Sequence, residues 1–162
     1  MAGKMLYVLA GYDQATQGRL AGMQDKLYAK GFCGEHTQGI PMHVTLGSFP
    51  VEWEDALIAR LKETASICSA FDVTFHHIGI FAGSKVLFVA PDCNPELLAL
   101  KERFGGGSGW TPHTTMLIDA PEAMLRAVPI LLEEFSAFSG QVTTLHLYEF
   151  WPTRHILSAP LG

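Results

Sequence analysis

Basic residues are scarce in this chain, and their scarcity limits what the protein can bind. Lysine and arginine together number 11 against 16 acidic residues, which gives a net charge of −5, and none falls within residues 31–59. Tight binding along a nucleic-acid backbone needs clustered positive charge, so we expect no strong binding of long nucleic acids. A single phosphate group, or the end of a short oligonucleotide, is compatible with this composition.

Cysteines and long apolar runs are also few. The three cysteines, Cys33, Cys68 and Cys93, are scattered and odd in number, which disfavours a disulfide framework and favours a reducing cytoplasm. No apolar run reaches the roughly 18 residues that a membrane span needs. Asp13 interrupts the apolar start of the chain, so we expect no secretory signal there. The expectation is a monomeric cytoplasmic protein with no membrane segment.

Hydrophobic periodicity divides the 162 residues into alternating strands and helices, a number that suits one compact domain. The predicted strands cover residues 4–12, 42–49, 72–81, 85–91, 112–119, 140–150 and 155–161. The predicted helices cover residues 13–30, 51–71, 94–104 and 121–138. Pro129 lies inside the last of these helices and is expected to kink it.

The second half of the chain repeats the pattern of the first. Residues 4–81 and residues 85–150, approximately, each contain strand, helix, strand, helix and strand, and KMLYVLA at residue 4 matches KVLFVAP at residue 85. On this alignment His77 corresponds to His146. We interpret the pattern as an internal duplication within a single domain, residues 1–162. The predicted fold is α+β and bilobal: two pseudo-twofold-related lobes, each with an antiparallel sheet and helices on its outer face, enclose a central cleft.

Two His-x-Thr motifs occupy equivalent places in the repeat, HVT at residues 43–45 and HTT at residues 113–115. Alternate residues of a strand point to the same side, so His43 shares a face with Thr45, and His113 with Thr115. Twofold-related lobes would bring both pairs to one cleft. Two imidazoles can supply a base and an acid on opposite sides of a phosphorus atom near neutral pH. Threonine hydroxyls can hold the non-bridging oxygens, and no metal is required.

The motifs, HVTL and HTTM, the second within PHTTMLID, resemble the paired signatures of the 2H phosphoesterase superfamily. That superfamily includes the bacterial 2′-5′ RNA ligase-like proteins and cyclic nucleotide phosphodiesterases, and the resemblance covers the whole chain. It implies that His43 and His113 are the catalytic pair and that Thr45 and Thr115 bind phosphate. Which histidine is the base and which the acid is left open, because the repeat makes them nearly equivalent.

The resemblance also implies an activity and a class of partner. The activity is metal-independent hydrolysis, or reversible ligation, of 2′,3′-cyclic phosphates or 2′-5′ linkages, without a cofactor. The expected partner is a nucleotide cyclic phosphate or a short RNA end. The chain departs from 2′-5′ RNA ligase-like members just after the second motif, where Ile118 and Asp119 stand in place of a basic residue.

Aromatic residues near the ends of the predicted strands are candidates for the cleft wall or for stacking on a base. They are Phe81, Trp110, Tyr148, Phe150 and the adjacent Trp151. Tyr148 and Phe150 have the same parity as His146 in their strand. For each aromatic residue, packing in or around the core is the competing interpretation. His77 and His146 have no following threonine, so a packing role is at least as strongly expected for them.

Three other features suggest ligand chemistry less strongly. Cys33, His36 and His43 do not have the spacing of a structural zinc site, so no metal is expected. The segment GGGSGW, residues 105–110, lacks the Lys-Ser/Thr ending of a phosphate-binding P-loop and is expected to form a flexible rim beside the second motif. Arg154 is a candidate phosphate contact, although a solvated surface role is preferred for it.

Two other functions fit the same residues. The protein could bind a nucleotide or an RNA end in the same cleft without turnover, which predicts ligand affinity and no product. A metal-dependent hydrolase would instead lose activity in a chelator and carry bound zinc.

Overall fold

The computed structural model describes residues 3–34, 37, 39–83, 85–106 and 108–162. The strands are β1 (Met5–Tyr12), β2 (His43–Pro50), β3 (Phe71–Phe81), β4 (Val86–Pro91), β5 (Thr114–Ile118), β6 (Phe138–Phe150) and β7 (Arg154–Pro160). The helices are α1 (Gln14–Ala29), α2 (Glu54–Ile67), α3 (Pro95–Glu102) and α4 (Pro121–Glu134), with a 3-10 turn, Val51–Trp53, before α2. This order of elements confirms the predicted α+β class with antiparallel strands.

All seven strands belong to one sheet, in the order β2-β1-β6-β3-β4-β5, with β7 paired to β6. Strand β6 joins the two halves, because β1 pairs along one of its edges while β3 and β7 share the other. The two sheets expected from the repeat are therefore hydrogen-bonded into one. In a flat sheet β2 and β5 would be about 24 Å apart, at five strand spacings. They are in contact, so the sheet curves strongly and its two end strands meet.

The hydrophobic core lies on the face of the sheet that the helices cover. Alternate residues of β1 enter this core, as do the apolar residues of α1, α2 and α4. The β1 residues that do so are Leu6, Val8, Ala10 and Tyr12. The intervening residues Tyr7, Leu9 and Gly11 point to the opposite, concave face. Within the described part of the chain, no helix is long and apolar enough to cross a membrane.

Two predicted helices extend too far toward the carboxyl end. α2 ends at Ile67 and α4 at Glu134, whereas the expected ends were residues 71 and 138. In both cases the phenylalanine of a Ser-Ala-Phe sequence starts a strand instead. The reason is tertiary: β3 and β6 pair through these residues, and Phe138 stacks on the fully buried Phe75 with ring centroids 4.6 Å apart. Pro129 lies inside α4 without ending it.

The register of β1 on β6 matches that of β4 on β3, whereas β2 and β5 differ, since Thr45 lies opposite Leu9 and Thr115 opposite Phe88. Leu9 lies opposite His146 where β1 pairs with β6, and Ala90 lies opposite His77 where β4 pairs with β3. Both pairs are those that the sequence alignment of the halves makes equivalent. The shared register agrees with an internal duplication, which stays an interpretation. Among the described residues, the part of the sheet formed by β3, β4 and β5 has no counterpart of β7.

Candidate active site

The two motif histidines lie on the strands that meet when the sheet curves. His43 is the first residue of β2, and His113 immediately precedes β5, although a position inside the strand was expected. Nδ1 of His43 lies 2.7 Å from the carbonyl oxygen of Pro41, and Nδ1 of His113 lies 2.9 Å from that of Thr111. A carbonyl oxygen only accepts, so Nδ1 carries the proton in both rings. Each neutral imidazole therefore presents an unprotonated Nε2.

Burial keeps both imidazoles neutral. It lowers the pKa of His43 from 6.5 to about 4; the hydrogen bond to Pro41 acts against this shift and the charge of His113 acts with it. Burial also lowers the pKa of His113, against the effect of its hydrogen bond to Thr111. Because a charge on His113 disfavours a charge on His43, the two rings are electrostatic neighbours. A second proton on the pair is therefore disfavoured, which suits one acid and one base.

A buried hydrogen bond joins the segments that carry the two histidines. Oη of Tyr12 lies 2.7 Å from Oγ1 of Thr114. Tyr12 follows Gly11, which pairs with His43, while Thr114 follows His113. Burial raises the pKa of Tyr12 well above its ordinary value, so its hydroxyl stays protonated. This bond therefore ties β1 to β5 beside the two motif histidines.

The threonines of the motifs lie on the same side as the histidines. Thr45 and Thr115 are half-buried. The residues on either side of each threonine, Val44, Leu46, Thr114 and Met116, are buried. The alternation expected from the sequence is therefore present in both motifs. Thr115 lies opposite Phe88 of β4, and Thr45 lies opposite Leu9 of β1, so both hydroxyl-bearing side chains belong to the concave face.

A pocket of about 120 Å³ is lined by one residue from each motif, His43 and Thr115. Its lining also includes Gln24, Ile118, Phe150 and Trp151. Among the described residues, Thr45 and His113 are not part of this lining. The volume accommodates a phosphate group, and the aromatic wall provides a flat apolar surface beside it.

Three of the five predicted aromatic residues, Phe81, Phe150 and Trp151, lie at this site. Phe150 lines the pocket and is stacked on Trp151, with ring centroids 4.8 Å apart. Phe81 meets His113 edge-on, with centroids 4.7 Å apart and an interplanar angle of 87°. Phe88, which the sequence did not single out, lies 5.4 Å from the same imidazole. Only the register that places Phe88 opposite Thr115 could have identified it.

Tyr148 and Trp110 do not line the pocket. Tyr148 is buried and stacks on Phe150, with centroids 5.6 Å apart and an interplanar angle of 22°. Trp110 packs against the core, and the ammonium of Lys101 lies 5.7 Å from its ring centroid. Both therefore have the packing contacts that the competing interpretation expected.

The weaker candidates have other partners or lie outside the described residues. The guanidinium of Arg154 is bonded to Glu54 at 2.5 Å and Glu149 at 3.1 Å, so carboxylates occupy it. His36 lies outside the described residues; elsewhere in the described chain no three ligating side chains gather at one point. Lys101 donates to the carbonyl oxygens of Gly105 and Gly106, at 3.1 and 3.2 Å, which anchors the start of the glycine-rich segment. Residue 107 of that segment is not described.

Similarity to known proteins agrees with this geometry. A sequence profile of the 2′-5′ RNA ligase superfamily matches residues 14–150, which include both histidine motifs. A search of curated proteins finds no match. Among solved structures, Escherichia coli LigT in apo form shares 19% identity over 98% of each chain, with a TM-score of 0.63.

Two further structures share the fold. A protein described as a phosphoesterase shares 16% identity over 99% of each chain, with a TM-score of 0.62. Escherichia coli LigT complexed with 3′-AMP shares 21% identity over 99% of each chain, with a TM-score of 0.61. With the profile match across both His-x-Thr motifs, the conclusion is that the chain belongs to the 2′-5′ RNA ligase superfamily, that is, to the 2H phosphoesterases.

Proposed function

We propose that this protein is a metal-independent phosphodiesterase that hydrolyses, or reversibly ligates, 2′,3′-cyclic phosphate or 2′-5′ phosphodiester bonds of nucleotides or RNA ends. One observation carries the proposal: two neutral imidazoles from twin motifs are anchored identically through Nδ1 and interact electrostatically. LigT of the same fold has been crystallised with phosphate and with 3′-AMP. These are the kinds of group that a cleft of this chemistry would hold.

In the proposed reaction the substrate phosphate is held between Thr45 and Thr115, whose hydroxyls donate to its non-bridging oxygens. One neutral histidine accepts a proton at Nε2 from a water molecule as the water oxygen bonds to phosphorus. The other, protonated histidine donates its Nε2 proton to the departing ribose oxygen as that P–O bond breaks. The pair still holds one proton at the end, now on the opposite ring, and solvent exchange restores the starting state.

Substrate binding would favour the singly protonated state that this reaction needs. A phosphate diester brings a negative charge into a site where burial lowers the pKa of His43 and His113. An opposite charge nearby raises the pKa of an imidazole, so the bound substrate acts against burial. The lowered pKa values of the free protein are therefore compatible with acid–base catalysis in the complex.

The test is hydrolysis of 2′,3′-cyclic AMP in excess chelator. His43→Ala and His113→Ala should each lower kcat by at least about 10²-fold, because each ring transfers a proton. His77→Ala is the matched control, since His77 is an exposed histidine on a strand of the same sheet. Thermal melts establish that each variant is folded. Full activity in either motif variant, or loss of wild-type activity in the chelator, would refute the mechanism.

A binding protein without turnover is the second candidate, and a specific observation favours it. With the pKa of His43 lowered to about 4, the His43–His113 pair of the ligand-free protein is mostly unprotonated at pH 7. On this alternative the protein binds 3′-AMP or a cyclic nucleotide in calorimetry and releases no product. Detection of the linear phosphate product, lost in His113→Ala, would exclude it.

A further inference from the structure

A third histidine, His146 of β6, lies on the concave face with the two motif histidines. It is directly opposite Leu9 of β1, which is opposite Thr45 of β2. Residues that face each other in antiparallel strands point to the same side, so these three form one row across the site face. The adjacent row contains His43 and, opposite it, Gly11.

Gly11 is what allows the imidazole of His146 to approach His43. A Cβ at Gly11 would lie 2.5 Å from Nε2 of His146 and 2.9 Å from its Cδ2. The ring therefore occupies the space that the side chain of any other residue at position 11 would need. Opposite residues have Cα atoms about 4.5–5.5 Å apart, and Gly11 is opposite His43. Nε2 of His146 thus lies over Gly11, the residue paired with His43 at the start of the first motif.

The other nitrogen of His146 belongs to a hydrogen-bonded chain that ends at the surface. Nδ1 of His146 lies 2.6 Å from Oγ of Ser158, and the same Oγ lies 2.7 Å from Nε2 of His155. Ser158 has one proton to donate, so it donates to one ring and accepts from the other. When His155 donates to Ser158, Ser158 donates to Nδ1 of His146. A neutral His146 then carries its own proton on Nε2, above Gly11.

The surroundings of His146 keep it neutral. Burial lowers its pKa to about 4, and the charges of His43 and His155 act in the same direction. Tyr148 is the other titratable group packed against it, with ring centroids 6.1 Å apart. A neutral imidazole has a single N–H, so its tautomer decides whether Nε2 donates or accepts. A neutral donor can bind an anionic oxygen without adding a positive charge beside His43.

We propose that His146 is a third ligand of the substrate phosphate, donating Nε2–H to a non-bridging oxygen beside His43. Ser158 and His155 are positioning residues that keep the proton on Nε2. The identity of the ligand rests on the proposed function, whereas the placement of the ring does not. His77, the equivalent residue of the other half, has no counterpart of Ser158 in the described chain, because β7 pairs only with β6.

Phosphate binding tests the proposal directly. Calorimetry with inorganic phosphate, and KM for 2′,3′-cyclic AMP, should show about tenfold weaker binding in His146→Ala with a smaller change in kcat. His146→Gln keeps an amide donor near the position of Nε2 and should restore most of the affinity. His77→Ala, the matched histidine control, should leave both values unchanged. Equal affinity in the wild type and His146→Ala would overturn the proposal.

A spectroscopic readout separates ligand binding from packing. Long-range ¹H–¹⁵N correlation spectra of histidine-labelled protein should show the Nε2–H tautomer of His146 and a shift of that signal when phosphate is added. Ser158→Ala should weaken this tautomer preference and raise KM. Gly11→Ala should displace the ring and raise KM, whereas Gly22→Ala, whose Cβ would contact nothing within 4 Å, should not. An Nδ1–H tautomer that phosphate does not affect would refute the assignment.

The outcomes distinguish this proposal from the proposed function. If phosphate shifts the Nε2 signal of His146 but cyclic AMP is not turned over, the phosphodiesterase proposal fails and the phosphate contact stands. If turnover requires His43 and His113 but is insensitive to His146→Ala and His146→Gln, the contact alone fails. Absence of any phosphate binding by the wild type would refute the contact.

Discussion

The proposed phosphodiesterase activity should have an acidic optimum and fall steeply above neutral pH. Burial lowers the pKa of His43 from 6.5 to about 4 and also lowers that of His113 from 6.5. Acid–base catalysis by the pair needs one proton, and the free pair loses its last proton with an apparent pKa below 6.5. The profile of kcat/KM, which reports the free protein, should therefore be bell-shaped with its maximum below pH 6.5.

The magnitude follows from the same values. Above the higher apparent pKa, the singly protonated fraction falls tenfold for each pH unit. At pH 8, about 1.5 pH units above the ordinary histidine value, kcat/KM should be at least about 30-fold below its maximum. The assay is hydrolysis of 2′,3′-cyclic AMP at low substrate concentration from pH 3.5 to 8.5, at constant ionic strength and with chelator present.

Folding must be followed over the same range, because burial of a neutral His43 also makes stability depend on pH. The unfolded chain binds a proton at this residue near pH 6.5 and the folded chain only near pH 4. The free energy of unfolding therefore decreases as the pH falls through this window, by at most about 3 kcal/mol from this residue. An optimum at or above pH 8 in folded protein, or a rate independent of pH from 6 to 8, would refute the reasoning.

Three further predictions concern packing and the surface. Tyr12→Phe should lower the free energy of unfolding in urea by about 1–3 kcal/mol and lower kcat, because the hydroxyl of Thr114 loses its buried partner. Adding Thr114→Val should recover stability, and a double variant less stable than Tyr12→Phe alone would contradict this. Phe75→Ala should cost about 3–5 kcal/mol, since the ring is fully buried, and a loss below 1 kcal/mol would contradict it. Arg154→Ala should leave KM for 2′,3′-cyclic AMP unchanged, because Glu54 and Glu149 engage its guanidinium; a tenfold rise would show a substrate contact.

Local sequence patterns were enough to predict the order of the elements and that the histidine and threonine of each motif lie on the same face of the strand. Period-two alternation around His43 and Thr45 is a property of a few consecutive residues, and the repeat supplied the second example. The ends of α2 and α4 could not be predicted, because the helical pattern of the sequence continues into residues that form paired strands in the structure. What decides them is the stacking of Phe75 on Phe138, a contact between residues far apart in the sequence.

The finer composition of the site depends on register and on curvature of the sheet. Neither the contact of Phe88 with His113 nor the position of His146 over Gly11 follows from spacing along the chain. Each requires knowing which residues stand opposite one another on neighbouring strands, and a shift of one residue would send these side chains to the other face.

Strand β7 gives the two halves of the concave face different characters. On one side His146 lies near His43 and is hydrogen-bonded through Ser158 to His155; on the other, the rings of Phe81 and Phe88 contact His113. A ligand with unlike ends would therefore have one preferred orientation between them, even though each side contributes one His-x-Thr motif. In the proposed reaction, the asymmetry that β7 introduces would then fix the direction from which water attacks phosphorus. Each motif histidine would act in one step only, as base or as acid.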